Sequence, residues 1–292
     1  MKQVDIIKWG RWRIAWASSA TLGAVAKLLR CGEINGVGLS PHHGYTGDPV
    51  LLNELPNSSG VVFTDAGSLN CHVIPRLNEL RFISLGGARS RGFDFSRLCN
   101  LADLRIGWHP GDDLPSGEGA LESLYLKGYN PKSKDLTALP EYEKLETLEL
   151  VQAGITSLDG VERQKSLREL DISYCKSLAT VAALVGTPVE RVHFEACARI
   201  ENIPVLSQCP HMKSIRLSAC GNLQSLGFLK KSQTIEEFRF VKMEVADGDM
   251  TPLLELKSVG FIDKRGYSHT SEQVRAIIAM RMADSPPSTP RG

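Results

Sequence analysis

Read as apolar and polar positions, the stretch from Leu167 to Leu226 writes one pattern three times: LRELDISYCKSL, VERVHFEACARI and MKSIRLSACGNL. Each copy is apolar at its first, fourth and sixth places, has cysteine at the ninth, and is apolar again at the twelfth. Leu167, Leu170, Ile172, Cys175 and Leu178 thus align with Val189, Val192, Phe194, Cys197 and Ile200. Met212, Ile215, Leu217, Cys220 and Leu223 follow in the same order. Alternation around the fourth and sixth places predicts a short strand with one buried face. Weaker copies extend the pattern both ways. IEEFRF carries Ile235, Phe238 and Phe240, and LKSVGF carries Leu256, Val259 and Phe261. Before the clear copies stand LETLEL from Leu145, LESLYL from Leu121, LADLRI from Leu101 and LRFISL from Leu80. Further back, Val61 and Phe63, Val37 and Leu39, and Ile14 and Trp16 are expected at the fourth and sixth positions. The spacing of roughly 20–24 residues, repeated about a dozen times, marks a stacked array.

From Ile14 to Phe261 the chain resembles the leucine-rich repeat superfamily, whose formula L-x-x-L-x-L-x-x-N/C the clear copies follow. The expected fold class is α/β: a leucine-rich repeat solenoid with a concave parallel sheet. Each return has only about 12–15 residues, enough for a turn plus a short convex helix or 3₁₀ segment. Val181–Val185 and Leu22–Leu29 are the expected convex helices, and Pro140, Pro188, Pro204, Pro210 and Pro252 fall in returns, where proline is tolerated. A solenoid exposes core at both ends and needs caps. Trp9 and Trp12, with Ile6 and Ile7, are placed to shield the first repeat. Thr270 and Gln273 form a capping-box pattern, and Val274, Ile277, Ile278 and Met282 form an apolar stripe that would close the last repeat as a C-terminal helix. The expected division is residues 1–269 as the solenoid with its N-terminal cap, 270–283 as the capping helix, and the proline-rich 284–292 as a disordered tail.

Composition narrows the chemistry. A net charge of +1 over 292 residues gives no excess to drive phosphate-backbone binding, so no nucleic-acid partner is expected. No apolar run approaches a membrane span. The N-terminal stretch mixes Lys2, Asp5, Lys8, Arg11 and Arg13 with its apolar residues and lacks a signal-peptide core, so a cytoplasmic location is expected, with no membrane association. Seven cysteines, an odd number without paired spacings, suit reduced thiols in such a compartment. Cys175, Cys197 and Cys220 are expected to stack as a structural ladder, each turned inward to bond backbone groups. No fourth ligand shares their rows, so no metal is expected there. His42, His43 and Asp48 lie in a Gly/Pro-rich loop and are expected to be solvated. Leu85–Arg89, LGGAR, reads as a turn, and Cys209 near His211 lacks a positioned base. No phosphate-loop, HExxH or GxSxG motif is present, so neither enzymatic activity nor a cofactor is expected.

The positions that alternate with the buried ones carry the candidate function. Phe82, Arg105, Trp108, Tyr125, Lys127, Glu149, Gln152, Glu169, Asp171, Tyr174, Arg191, His193, Glu195 and Arg216 are predicted to point outward from the sheet. Aromatic side chains ringed by charge are the composition of protein-binding patches. Glu149, Glu169, Asp171 and Glu195, expected on neighbouring strands, imply a partner with a basic patch.

The segment FIDKRGYSHTSEQV, Phe261–Val274, resembles the closing segment of bacterial leucine-rich repeat proteins that serve as immunity partners of polymorphic toxins. That resemblance implies a cytosolic, stoichiometric protein-binding protein that neutralises a cognate toxin through its concave face. A substrate-recognition or scaffolding module of a larger regulatory assembly is the second reading of the same face.

Overall fold

The computed structural model describes residues 4–45, 49–55, 58–64, 77–86 and 93–283. Asp48, the Gly87–Arg89 part of the glycine-rich turn, Cys71 and the tail 284–292 lie outside the described residues. The chain divides into two compact units: Met1–Lys132 with Leu139–Ala153 and Gln164–Ser166, and Ser133–Ala138 with Gly154–Arg163 and Leu167–Gly292. Both are repeat solenoids of the α/β class, with a parallel sheet on one side and short returns on the other.

Among the described residues of the first unit, strands β1 (Ile6–Trp9) and β2 (Trp12–Ala17) form an antiparallel hairpin. Six further strands continue from β2, each parallel to the one before: β3 (Gly36–Leu39), β4 (Gly60–Phe63), β5 (Phe82–Leu85), β6 (Asp103–Gly107), β7 (Ser123–Lys127) and β8 (Thr147–Val151). The register aligns Ala15, Val37, Val61, Ile83, Leu104, Leu124 and Leu148 in one buried row, and Ala17, Leu39, Phe63, Leu85, Ile106, Leu126 and Leu150 in a second. Helix α1 (Leu22–Arg30) is the return between β2 and β3 and packs Val25, Ala26 and Leu29 inward, as its periodicity predicts.

The second unit holds β9 (Glu169–Ser173), β10 (Arg191–Glu195), β11 (Ser214–Ser218), β12 (Glu237–Val241) and β13 (Ser258–Phe261), all parallel and in chain order. Leu170, Val192, Ile215, Phe238 and Val259 form one buried row, and Ile172, Phe194, Leu217, Phe240 and Phe261 the next. Its returns are 3₁₀ segments: Val161–Arg163, Ala182–Gly186, Ile203–Gln208, Gly227–Lys231 and Thr251–Glu255. Pro204 and Pro252 sit in the first turn of theirs, where a missing N–H costs nothing.

The eighth position has a backbone task that its residue types do not advertise. Gly128 and Gln152 in the first unit, and Tyr174, Ala196, Ala219 and Lys242 in the second, all have positive φ. The Tyr174, Ala196 and Ala219 N–H groups each donate to a carbonyl of the following strand, at 2.7, 2.7 and 3.0 Å. The left-handed residue thus completes the ladder and swings the next side chain into the core. Such a conformation costs a non-glycine residue about 1–2 kcal/mol, which the added rung and the burial of position nine offset.

Two expectations are corrected. Ile14 and Trp16 do not occupy the fourth and sixth positions: Ala15 and Ala17 do, in register with Val37 and Leu39. Ile14 and Trp16 lie on the open face, beside β3, whose Gly36 and Gly38 carry no side chains there. A Cβ at Gly36 would stand 2.3 Å from Ile14 Cδ1, and one at Gly38 2.3 Å from the Trp16 ring. The glycines leave a trough, and Trp12, Ile14, Val62 and Phe82 fill it as a small second core, with Ile7 and Trp16 against it. Nearby His43, expected to be solvated, stacks on Trp16 with ring centroids 4.8 Å apart.

The second correction concerns the C-terminal cap. Helix α2 (Ser271–Ala283) begins with the predicted capping box: the Thr270 N–H donates to Gln273 Oε1 at 2.8 Å and the Gln273 N–H to Thr270 Oγ1 at 3.2 Å. It packs on β13 and on the Thr251–Glu255 return through Val274 and Ile278, whereas Ile277 is 38% exposed and Met282 is exposed as well. Asp263 Oδ1 accepts from the Ser271 N–H at 2.6 Å and rotates the helix onto the 271/274/278 face. Ile278→Asp is therefore expected to lower unfolding stability by about 2–4 kcal/mol, since it removes a buried Ile and inserts a charge. Ile277→Asp is expected to cost less than about 1 kcal/mol. Chemical denaturation of both variants checks the pair, and equal losses would refute the packing face.

Candidate protein-binding face

The open face of the first unit changes character along the sheet. From β2 to β5 it carries Ile14, Gly36, Gly60 and Phe82 in one row, and Trp16, Gly38, Val62 and Ser84 in the next. From β6 to β8 the same rows read Asp103, Ser123, Thr147 and Arg105, Tyr125, Glu149. The apolar half is covered by the hairpin, whose Trp12 ring stacks on Phe82 with centroids 5.0 Å apart. Phe82 was expected as an exposed anchor; at 1% exposure it is instead part of the second core.

Where cover ends, charge begins. The Trp12 indole N–H donates to Asp103 Oδ2 at 2.7 Å, and Arg11 Nε and Nη2 reach the same oxygen at 3.1 and 2.8 Å. Arg11 also pairs with Glu122 at 3.0 Å. Asp103 therefore anchors the hairpin to a strand more than ninety residues away in sequence. Arg105 lies over the Tyr125 ring at 3.9 Å and over Trp9 at 5.2 Å, and donates to Glu149 at 3.1 Å. Burial first, and then Glu149, raises the Tyr125 phenol above its ordinary value despite the nearby Arg105. Of the other predicted residues, Lys127 and Gln152 are exposed. Trp108 is half-buried and packs edge-on against the buried Tyr129 at 5.2 Å. Trp9, Arg11, Trp12 and Glu122 were not among the predicted face residues; Trp9 and Trp12 were expected to shield the first repeat, and Gly36, Gly38 and Gly60 on the open face of β3 and β4 are a sequence signal that a filler is needed there.

In the second unit every predicted face residue has a cross-strand partner. Arg191 pairs with Glu169 at 2.5 Å, His193 Nδ1 lies 2.9 Å from Asp171 Oδ2, and the Tyr174 hydroxyl donates to Glu195 at 3.2 Å. Arg216 pairs with Glu237 at 3.2 Å, and Arg239 meets the same carboxylate. Burial pushes the Glu237 carboxyl up, but its bonds from Ser214, Arg239 and Arg216 hold it below the ordinary value. The expected acidic cluster is thus a paired one, in which each carboxylate is held at a set position. Around β9 and β10 three carboxylates face one guanidinium and a histidine, an anionic balance; around β11 and β12 two guanidinium groups share Glu237, a cationic one. Tyr174, at 47% exposure, is the prominent aromatic of this unit's face.

Beneath this face runs the cysteine ladder. Cys197 Sγ donates to the Ile172 carbonyl of the preceding repeat at 3.5 Å and Cys220 Sγ to that of Phe194 at 3.2 Å, and both also meet a carbonyl of their own strand. Cys175 bonds the Ser173 carbonyl. All three are fully buried. The bond with Cys175, together with burial, pushes the Cys197 thiol strongly up, and burial pushes Cys220 up to about 11. None of the six cysteines among the described residues is in a disulfide, and no group of three or more potential metal ligands occurs among the described residues. No described helix is long and apolar enough to cross a membrane.

No family model matches the chain, and comparison with curated proteins returns no match.

Two outcomes are expected from this geometry. Native alkylation read by mass spectrometry should label the exposed Cys31 and Cys99 and leave Cys175, Cys197 and Cys220 unmodified until denaturation, because thiolate is the reactive form and burial suppresses it. The bond to Asp171 raises the His193 pKa; burial opposes it, Glu195 adds to it and Arg216 subtracts. The folded value thus lies above the unfolded one of about 6.5. The pair's contribution to stability is full below that value and fades as pH rises through the folded pKa. An NMR titration of His193 should give a midpoint above 6.5, and Asp171→Asn should bring it down; an unmoved midpoint would break the link.

Proposed function

We propose that the chain is a leucine-rich repeat protein that binds another protein stoichiometrically through the open face of its sheets, as an immunity protein neutralising a cognate bacterial toxin in the cytoplasm. The observation that carries the binding role is the set of cross-strand pairs. Tyr125, Arg105 and Glu149 in the first unit, and Glu169, Arg191, Asp171, His193, Tyr174 and Glu195 in the second, are held in place by one another before any partner arrives. Side chains fixed in advance lose less entropy on association. Exposed ion pairs contribute only about 0–1 kcal/mol to stability, so a run of them on one face is better explained by recognition than by folding.

The immunity reading rests on the resemblance at Phe261–Val274. In the fold that segment is the end of β13, the capping turn and the first turn of α2, with Asp263 and Thr270 bonding the start of the helix; the toxin is left to be identified by capture. The anionic balance around β9 and β10 suits a basic patch on the partner, and the cationic group at Arg216 and Arg239 suits an acidic group one or two strands away. This charge arrangement sets the register of binding.

Affinity capture from native lysate, with mass spectrometry of the bound protein, tests the reading. Glu169→Lys with Asp171→Lys should weaken capture by at least about 2 kcal/mol, roughly thirtyfold. The cost to stability should stay within about 1 kcal/mol, because both pairs are solvent-exposed. Glu141→Lys with Glu143→Lys, exposed in a return, is the control. Loss of capture by the control pair and not by the sheet pair would move binding to the return side and overturn the assigned face.

A further inference from the structure

The hairpin and strands β5–β7 of the first unit enclose a cleft of about 170 Å³. Its lining includes the rings of Trp9, Trp12 and Phe82 and the charged groups of Arg11, Asp103 and Arg105. Trp12 and Phe82 are buried, and Trp9 is 40% exposed. Trp9 meets Phe82 edge-on with centroids 6.2 Å apart, while Trp12 stacks flat on it. The cleft is smaller than the ~300–1,000 Å³ usual for small-molecule and cofactor sites. Its size is that of a single side chain.

Its chemistry narrows the occupant. A cation would seek the indole faces, but Arg11 already lies over Trp12 at 5.4 Å and Arg105 over Trp9 at 5.2 Å. A carboxylate would meet the buried side of Asp103, and the surrounding cluster of Asp103, Glu122 and Glu149 outnumbers Arg11 and Arg105. A neutral aromatic ring meets neither penalty. It can pack edge-on or offset against the exposed Trp9 ring, over a cleft lining that the buried Trp12 and Phe82 keep apolar, and a tyrosine hydroxyl has a carboxylate and a guanidinium in the same lining.

We propose that this cleft is the anchor site for one aromatic side chain, tyrosine best, presented by the protein partner beside basic residues that answer the surplus carboxylates. The inference rests on the protein-binding reading above and adds where the first unit grips and with what. Well-packed pockets that take an aromatic anchor are where binding energy concentrates in protein interfaces.

The test uses the full chain with ¹⁵N-labelled indoles and three small probes: N-acetyl-L-tyrosinamide, N-acetyl-L-argininamide and the amide of N-acetyl-L-aspartate. The tyrosine probe should shift the Trp9 and Trp12 indole signals saturably, with a dissociation constant on the order of 1 mM, and leave Trp16 and Trp108 in place. The other two should bind at least about tenfold more weakly. Trp9→Ala should weaken the tyrosine probe by at least about tenfold with an unchanged thermal transition. If that variant unfolds, the selectivity among probes in the unmodified protein decides alone. Equal shifts at all four indoles, no saturation, or tighter binding of the arginine or aspartate probe would overturn the proposal. Partner capture that depends on Glu169 and Asp171 while the cleft ignores tyrosine would sink this inference and leave the binding reading standing; a tyrosine-selective cleft in a chain whose capture ignores those charges would keep the inference and remove the second unit's face from the binding reading.

Discussion

Each repeat strand buries its fourth and sixth positions, and the atoms that cover them come from the repeats on either side. Leu124 is covered by Leu104 and Leu148 in its row, and Ile215 by Val192 and Phe238 in its own. Each buried methylene contributes on the order of 0.8 kcal/mol, so these rows bear most of the cohesion and tolerate no polar member without a partner. The commitment also fixes the opposite face. With side chains alternating at every residue, burial of positions four and six leaves three and five to look outward, whatever they are.

The two units answer that obligation differently. In the first, glycines at Gly36, Gly38 and Gly60 strip part of the open face of side chains, and the hairpin lays Trp12 and Trp16 into the space. In the second, the outward positions carry charged groups long enough to find each other across a strand. The first solution is apolar and costly to disturb. The second is polar and screened by solvent, so its value lies in holding side chains at chosen places more than in stability.

The returns and the ninth position show how small a margin the solenoid works with. A thiol is a weak donor, yet Cys197 and Cys220 each satisfy a carbonyl of the preceding repeat while filling apolar space. Bringing them there requires a left-handed residue one step earlier, at Ala196 and Ala219. The backbone accepts that conformation in repeat after repeat, because the same turn closes the hydrogen-bond ladder and directs the next side chain inward.

Local pattern determined much here: the repeat strands from β3 onward, their parallel order within each unit, the buried rows from Leu80 onward, the thiol ladder and the capping box at Thr270. These follow from local alternation and spacing, which the chain carries without reference to distant residues. The sequence also named most of the outward-facing side chains, Arg105, Tyr125, Glu149 and the group from Glu169 to Arg216 among them. Tertiary structure decided what those side chains do. It buried Phe82 beneath a hairpin from the other end of the unit, shifted the first strand so that Ala15 and Ala17 took the core and Ile14 and Trp16 the open face, and turned α2 to seat Ile278 in place of Ile277. It also converted a row of carboxylates into a row of pairs. Each of these outcomes depends on a partner twenty or more residues away, or on an end where the repeat has no neighbour to copy, and periodicity holds no information about either.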